Sequence, residues 1–472
     1  MGATSTVVIG GGVAGITAAL DCADAGASVT LVEVRPRLGG AAYSFGRDGG
    51  QFDNGQHVFL RCCTSYRALL ARLGSEDRVR LQARMRIPVL SPGAPPAELK
   101  SAPLPPPVHL ARSLLRYPLL SFRERVRAAL AARALAHVDP DDHAADARSF
   151  GDWLAEHGQD ARAIERLWDL VALPTLNVRA REASLALAAF VFQTGLLSDA
   201  SAADIGFHVR PLSEIIGAPA LHALQESGVE VLLSTRAVRV EAREASLRVA
   251  LAERGELEAS TVIVALPHTR VADVLPASLD PLAGRVRALE SSPIVNVHVV
   301  YDRPVCAWPL TDVGFAAGVC TPVQYVFDRS ESLGLPSGRY LAVSLSGAEQ
   351  EMQMSSEELR ERYTRALGEL LPAARAARIE RFQITREHAA TFRAAPGTRS
   401  LRPSSETPVP GLLLAGAFTD TGWPATLEGA VRSGHAAARA ALRRLGIDRG
   451  ATLAAASPAG RENGGSAVGA LA

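Results

Sequence analysis

The sequence predicts an α/β fold, and three observations predict it. A β-branched run from Ser5 to Gly10 enters the glycines Gly10, Gly12 and Gly15, and a second run, Ser28 to Val32, ends on the acid Glu33. Far downstream, 229–241 and 260–275 read as further strands, and 411–442 reads as strand, loop and helix. Between these, VNVHVVYDRPV and RYLAVSLSG read as strands of a mostly antiparallel sheet, covered by a mainly helical 110–200 region. The expected organisation is a discontinuous Rossmann-type domain from 1–85, 205–275 and 405–445, interleaved with an α+β substrate domain from 86–204 and 276–404. Residues 446–472, rich in Ala, Gly and Ser, read as a disordered tail.

Each element follows from local chemistry. The first strand is short and β-branched, which suits a buried parallel sheet. Gly10 permits the tight turn, Gly12 lets the backbone approach a pyrophosphate, and Gly15 lets the helix pack closely on the sheet. Glu33 ends the second strand, where a carboxylate accepts from ribose hydroxyls and repels a 2′-phosphate. The unit is therefore a dinucleotide site that disfavours NADP. Arg35 stands where it can meet the adenosine or pyrophosphate end, and Gly39-Gly40 allow another close backbone approach. Asp53, Gly55 and His57 follow in a turn-rich loop before an amphipathic helix around Tyr66 to Leu73. At the far end Gly416 closes a strand, and Glu428, Gly429 and Ala430 open a helix that begins near Thr426 or Leu427, where bare amides suit an electron-rich ring edge.

Composition narrows the function. The chain has 472 residues, 47% of them apolar, and a formal net charge of +1, so it carries no global signature for nucleic acid. Five cysteines show no CxxC pair and no metal spacing, which fits free thiols in a reducing compartment and no metal site. No basic leader and no apolar run of about 20 residues is present, so a cytoplasmic location is expected. No internal repeat is found. Lys100 is the only lysine, and it sits in SPGAPPAELKSAPLPPP, a proline-rich connection without strand character.

The N-terminal unit, RPRLGGAAYSF, VEVLLSTRAVRVE and the C-terminal LEGAVRSG together resemble the flavoprotein superfamily of amine oxidases, protoporphyrinogen oxidases and carotenoid desaturases. That resemblance implies FAD. Glu33 would bind the adenine ribose, Val238 would meet adenine through its backbone, and 428–430 would embrace the isoalloxazine. Two departures stand out: Ala41 where many relatives carry arginine, and Ala417 where many carry an acid, with Asp420 slightly later as a substitute. FDNGQHVFL, LWDLVALPTLNVRAREASLALAAFVF, PVQYVFDR and TGWPATLEGAVRSG are more selective, and resemble the squalene-associated FAD-dependent hydroxysqualene dehydroxylases of the bacterial hopanoid and squalene route. The resemblance spans roughly residues 5–445.

What it implies is removal of an allylic hydroxyl from a C30 isoprenoid, with hydride from reduced FAD. Hydroxide leaves only when protonated, so a positioned acid and a dry, apolar pocket are needed. Candidates are His57, Asp420 and Tyr325, although loop structure, a turn and a pocket wall are the plainer roles for them. Gln56 and His57 are also candidate cofactor contacts; Gln324, Tyr325 and Trp423 are candidate pocket residues. Lysine-type amine oxidation is disfavoured, since Lys100 is poorly placed to hold a water near a flavin. An oxidative desaturase or isomerase, and a noncatalytic flavoprotein handing lipid to neighbouring squalene-pathway enzymes, remain as alternatives. Residues 105–135 set Arg112, Arg116, Arg123, Arg125, Arg127 and Arg133 against Glu124 alone. This segment reads either as contact with the inner face of an anionic membrane or as a helical pair with a solvated basic face.

Overall fold

The computed structural model describes residues 5–307 and 309–447. The expected tail at 446–472 therefore lies outside them from residue 448 onward.

From the N-terminus, β1 (Ser5–Ile9), α1 (Val13–Asp24) and β2 (Ser28–Val32) form the first parallel strand-helix-strand unit. β3 (Gly50–Asp53) and α2 (Thr64–Arg72) flank the NGQH loop. The chain then builds β4 (Arg86–Leu90), β5 (Ala97–Lys100), α3 (Ala111–Leu115) and α4 (Phe122–Leu135). It returns through β6 (Glu230–Leu232), β7 (Ala237–Ala242) and β8 (Thr261–Val264). Five strands follow: β9 (Ser291–Tyr301), β10 (Phe315–Gly318), β11 (Tyr325–Asp328), β12 (Tyr340–Ser346) and β13 (Ile379–Phe392). β14 (Leu412–Leu414) and α5 (Leu427–Leu445) complete the described chain.

Two sheets hold most of these strands; β3 and β7 lie in smaller separate sheets. The first is parallel throughout, in the order β6-β2-β1-β8-β14. Its strands are apolar on both faces, as a sheet covered by helices on each side requires. α1 and α5 pack across it so closely that a Cβ on Gly434 would stand 2.5 Å from the Ala14 carbonyl oxygen. The second sheet runs β13-β9-β12-β11-β10-β4-β5, and every pairing in it except β10 with β4 is antiparallel. Helices between 111 and 197 lie beside it. Trp153 and Trp168 are buried packing anchors there, and Leu185–Phe192 is a core helix.

Two local expectations need correction. Only 261–264 of the segment 260–275 is a strand; Pro267 then caps a helix, His268–Val274, because its fixed φ suits a helix start and its missing amide ends a ladder. Lys100 ends a strand after all: the alternating Ala97-Glu98-Leu99-Lys100 pairs with Arg86–Val89 despite the prolines around it.

Candidate functional site

The glycine-rich turn is a crossing of two backbones. Gly39 donates its amide to the Gly11 carbonyl at 2.9 Å. A Cβ on Gly40 would stand 2.7 Å from Gly12 Cα, and one on Gly15 would stand 1.9 Å from the Gly10 carbonyl oxygen. Bare backbone is the only material that fits, and it leaves a cradle beside the start of α1. Glu33 is buried against this turn, accepting from the Gly11 amide at 2.6 Å and from the Arg35 amide at 2.8 Å. Each carboxylate oxygen retains a lone pair, so ribose hydroxyls still find an acceptor. Arg35 and Ala41 are exposed. Val238 is exposed too, at an irregularity where the pairing of β7 with the strand Leu247–Leu251 skips from Ala237 to Arg239, so its own peptide is not paired in that register.

At the other end of the cradle, Gly416 follows β14 and donates its amide to Ser433 Oγ at 2.8 Å. Thr426 caps α5: its Oγ accepts from Gly429 at 3.1 Å, and its carbonyl accepts from Ala430 at 3.0 Å. The amides without an acceptor among the described residues are those of Leu427 and Glu428, one residue earlier than the 428–430 run that the sequence suggests. The Glu428 side chain points elsewhere. It is buried and accepts from the Ser65 and Tyr66 amides at 3.1 and 2.7 Å, neutralising the N-terminus of α2, with Arg432 beside it at 2.7 Å. A missed residue frames the loop before α5: buried Arg402 donates to the carbonyls of Ala417, Phe418, Thr419 and Trp423. Burial pulls its guanidinium down to about 10.

The NGQH loop is held from several sides. Asn54 accepts from the Tyr43 amide and donates to the Ala41 carbonyl and to Glu387, while its own carbonyl accepts from Asn296 on β9 and Thr385 on β13. Just before it, Asp53 pairs with Arg329 at 2.7 Å, both buried, and also accepts from Ser44 and the Leu212 amide. Arg329 donates further to the carbonyls of His208 and Arg210. His208 Nδ1 donates to the His57 carbonyl at 2.8 Å, which leaves Nε2 to accept from the Tyr66 hydroxyl at 2.7 Å. His57, α2 and the start of α5 thus belong to one hydrogen-bonded frame. Arg329 and His208 were not singled out by sequence reasoning; the arginine of PVQYVFDR and the aspartate of FDNGQH were the available signal, 276 residues apart.

The candidate acids separate clearly. Asp420 is exposed and accepts only from the Gly422 amide, as a turn residue does. Tyr325 donates to the Leu170 carbonyl at 2.8 Å, and burial pushes its hydroxyl well above the usual range. Gln324 is engaged at both ends by the Ser346 backbone, so neither it nor Tyr325 offers a free group. Trp423 packs edge-on to Phe190 with Arg432 over its ring. His57 is different. Its Nδ1 faces the Gly55 carbonyl at 3.3 Å, and its Nε2 makes no hydrogen bond among the described residues. It lines a small cavity with Gln56, Phe207, His208, Phe327 and Arg329. Gln56 Nε2 and Arg329 Nε are buried there without an acceptor among the described residues. Burial pulls the imidazole below its ordinary value, against the opposing pull of Asp53. Lys100 lies on β5, exposed, at 3.0 Å from Glu98.

This architecture defines a flavin enzyme. The chain belongs to the flavin containing amine oxidoreductase family, whose model matches residues 13–442, and it is an FAD-dependent oxidoreductase. Among solved structures it is similar to cyclohexylamine oxidase from Brevibacterium oxydans, with a TM-score of 0.71, 18% identity, and 93% and 99% of the two chains covered. Among characterised relatives it is 28% identical to a hydroxysqualene dehydroxylase of Sinorhizobium fredii, over 92% of this chain and 97% of that protein. It is also 24% identical to a probable zeta-carotene desaturase of Synechococcus elongatus, over 93% and 99%. Among the described residues no helix is long and apolar enough to cross a membrane.

Proposed function

We propose that the protein is a reductive dehydroxylase of a C30 isoprenoid alcohol, converting hydroxysqualene to squalene. The observation that carries this reading is the open Nε2 of His57 in a site that contains no lysine. The hydroxysqualene dehydroxylase relative, matched over almost its whole length, supports it.

Gly10, Gly12, Gly15 and Glu33 would hold the adenosine and pyrophosphate of FAD, with Arg35 and the Val238 backbone at the adenine end. Gly39, Gly40 and Ala41 would pass its middle, Gly55 and Gln56 would face the ring, and Gly416 with the 428–430 turn would close on its edge. Bound in reduced form, FAD supplies the hydride. The chain's own residues supply the rest. Protonated His57 donates from Nε2 to the leaving hydroxyl while the Gly55 carbonyl holds Nδ1–H, so oxygen departs as water. Phe207, Phe315, Tyr325 and Phe327 form an apolar wall that keeps other water from the carbon left electron-poor. An apolar isoprenoid is drawn from a lipid phase, in keeping with a peripheral position at the inner face of the cell membrane.

Incubation of the FAD-loaded protein with hydroxysqualene under anaerobic reduction tests this. Squalene is the expected product. The carotene desaturase relatives favour a second reading, in which oxidised FAD takes hydride from squalene or a carotenoid precursor; a desaturated product would establish it and sink the first. Neither product would point to a noncatalytic lipid-handing flavoprotein.

A further inference from the structure

We infer that the outward face of α3 and α4, with the chain leading into them, seats the protein on an anionic bilayer. The purpose of such a surface rests on the apolar substrate proposed above; its existence does not. Six of the exposed large apolar side chains among the described residues fall between 104 and 130: Leu104, Val108, Leu115, Phe122, Val126 and Leu130. They are not scattered. Phe122, Val126 and Leu130 recur every four residues and make one stripe along α4, while Ala128, Ala131 and Leu135 face the core. Phe122 is 69% exposed and Leu130 61%, values at which a solvated helix ordinarily carries charge.

The charges stand beside the stripe instead. Arg112, Arg116, Arg123 and Arg133 are exposed, and none of them pairs with a carboxylate among the described residues. Glu124, the one acid of the segment, caps α4 through the Ser121 amide and stands 3.7 Å from Arg162. An apolar stripe bordered by uncompensated arginines matches a bilayer, with side chains among the acyl chains and guanidinium groups at lipid phosphates. It does not match a second copy of the same face, which would oppose arginine with arginine. The inner side of the segment adds a reason. Tyr117 and Leu120 are buried in the apolar cluster that contains Phe315, and Phe207 and Phe327 of that cluster also line the His57 cavity. Apolar contact is continuous from the docking face to the site.

Vesicle flotation of the FAD-loaded protein tests the inference without any turnover, so it stands or falls apart from the dehydroxylase reading. The protein is expected to float with phosphatidylcholine vesicles containing a third phosphatidylglycerol, and far less with phosphatidylcholine alone. Phe122→Glu with Leu130→Glu, and separately Arg112→Glu with Arg116→Glu, should each lower the bound fraction more than about tenfold. Flavin absorbance and thermal melting of each variant report that it is folded. Flotation unaffected by both pairs overturns the inference. So does a wild-type protein that ignores vesicles and forms a concentration-dependent dimer abolished by Phe122→Glu.

Discussion

A histidine whose Nδ1 is held by a carbonyl can give up a proton from Nε2 only while the ring is charged. His57 is that residue here, and burial favours its neutral form. Its active, protonated state is therefore the acid one. The dehydroxylation rate should fall as pH rises through an apparent pKa below 6.5, the ordinary histidine value, and His57→Gln should lower kcat by about 10²-fold or more and remove that limb. A pH–rate profile of both proteins checks it. Glu428 gives a second residue-scale prediction. Its carboxylate serves two amides of α2, so Glu428→Ala should cost about 1–2 kcal/mol in a denaturant titration, with the FAD spectrum perturbed as α5 and α2 separate. The sequence places Glu428 correctly at a helix start, yet it cannot show that the side chain turns away toward Tyr66, 362 residues back. Residue roles set by distant partners, as for Gln324 and Tyr325, were the least legible of all.

Elements were more legible, because their causes are local. Glycine spacing, β-branched runs and the acid at Glu33 define β1, α1 and β2 without reference to the rest of the chain. Gly15 carries the sharpest test at this scale. A Cβ there would overlap the Gly10 carbonyl and press on the Ala265 Cβ at 3.2 Å, and neither is a flexible side chain that could yield. Gly15→Ala should give protein that purifies without bound flavin or fails to accumulate, read from the visible absorbance of the purified material. The misreading at 260–275 has the same origin as the successes. Apolar content is alike in the strand Thr261–Val264 and the helix His268–Val274, and only Pro267 marks the change. Lys100 shows the reverse: prolines on either side hid a four-residue strand that a sheet partner makes possible.

Across the whole molecule, a buried charge pair ties the strand that enters the NGQH loop to the seven-stranded sheet. Asp53 precedes the NGQH loop and Arg329 follows β11, so Asp53→Asn would leave a buried guanidinium without its counter-charge. A loss of about 3–5 kcal/mol of stability is expected, measured by chemical denaturation. Buried histidines set the pH dependence. Burial holds His208 and His298 down at about 3, against about 6.5 in the unfolded chain. Below 6.5 the unfolded chain binds protons that the folded one refuses, so stability present at neutral pH is lost as pH falls toward 3. The melting temperature should drop between pH 7 and pH 5, and less steeply in His298→Asn. The interleaving of the sheets was visible in the sequence as strand signals at both ends, whereas the Asp53–Arg329 pair was not, since no local pattern links two residues 276 positions apart. That interleaving has a consequence for how the protein is made. β1 lies between β2 and β8, and β14 completes the sheet only at Leu412–Leu414. At about 5–20 residues per second a ribosome needs roughly 20–80 seconds to deliver that last strand. Until then the glycine turn waits on a sheet that lacks its last edge strand, with an apolar edge open, so nascent chains of this protein should depend on a chaperone, and flavin loading should follow synthesis of the C-terminal strand and helix.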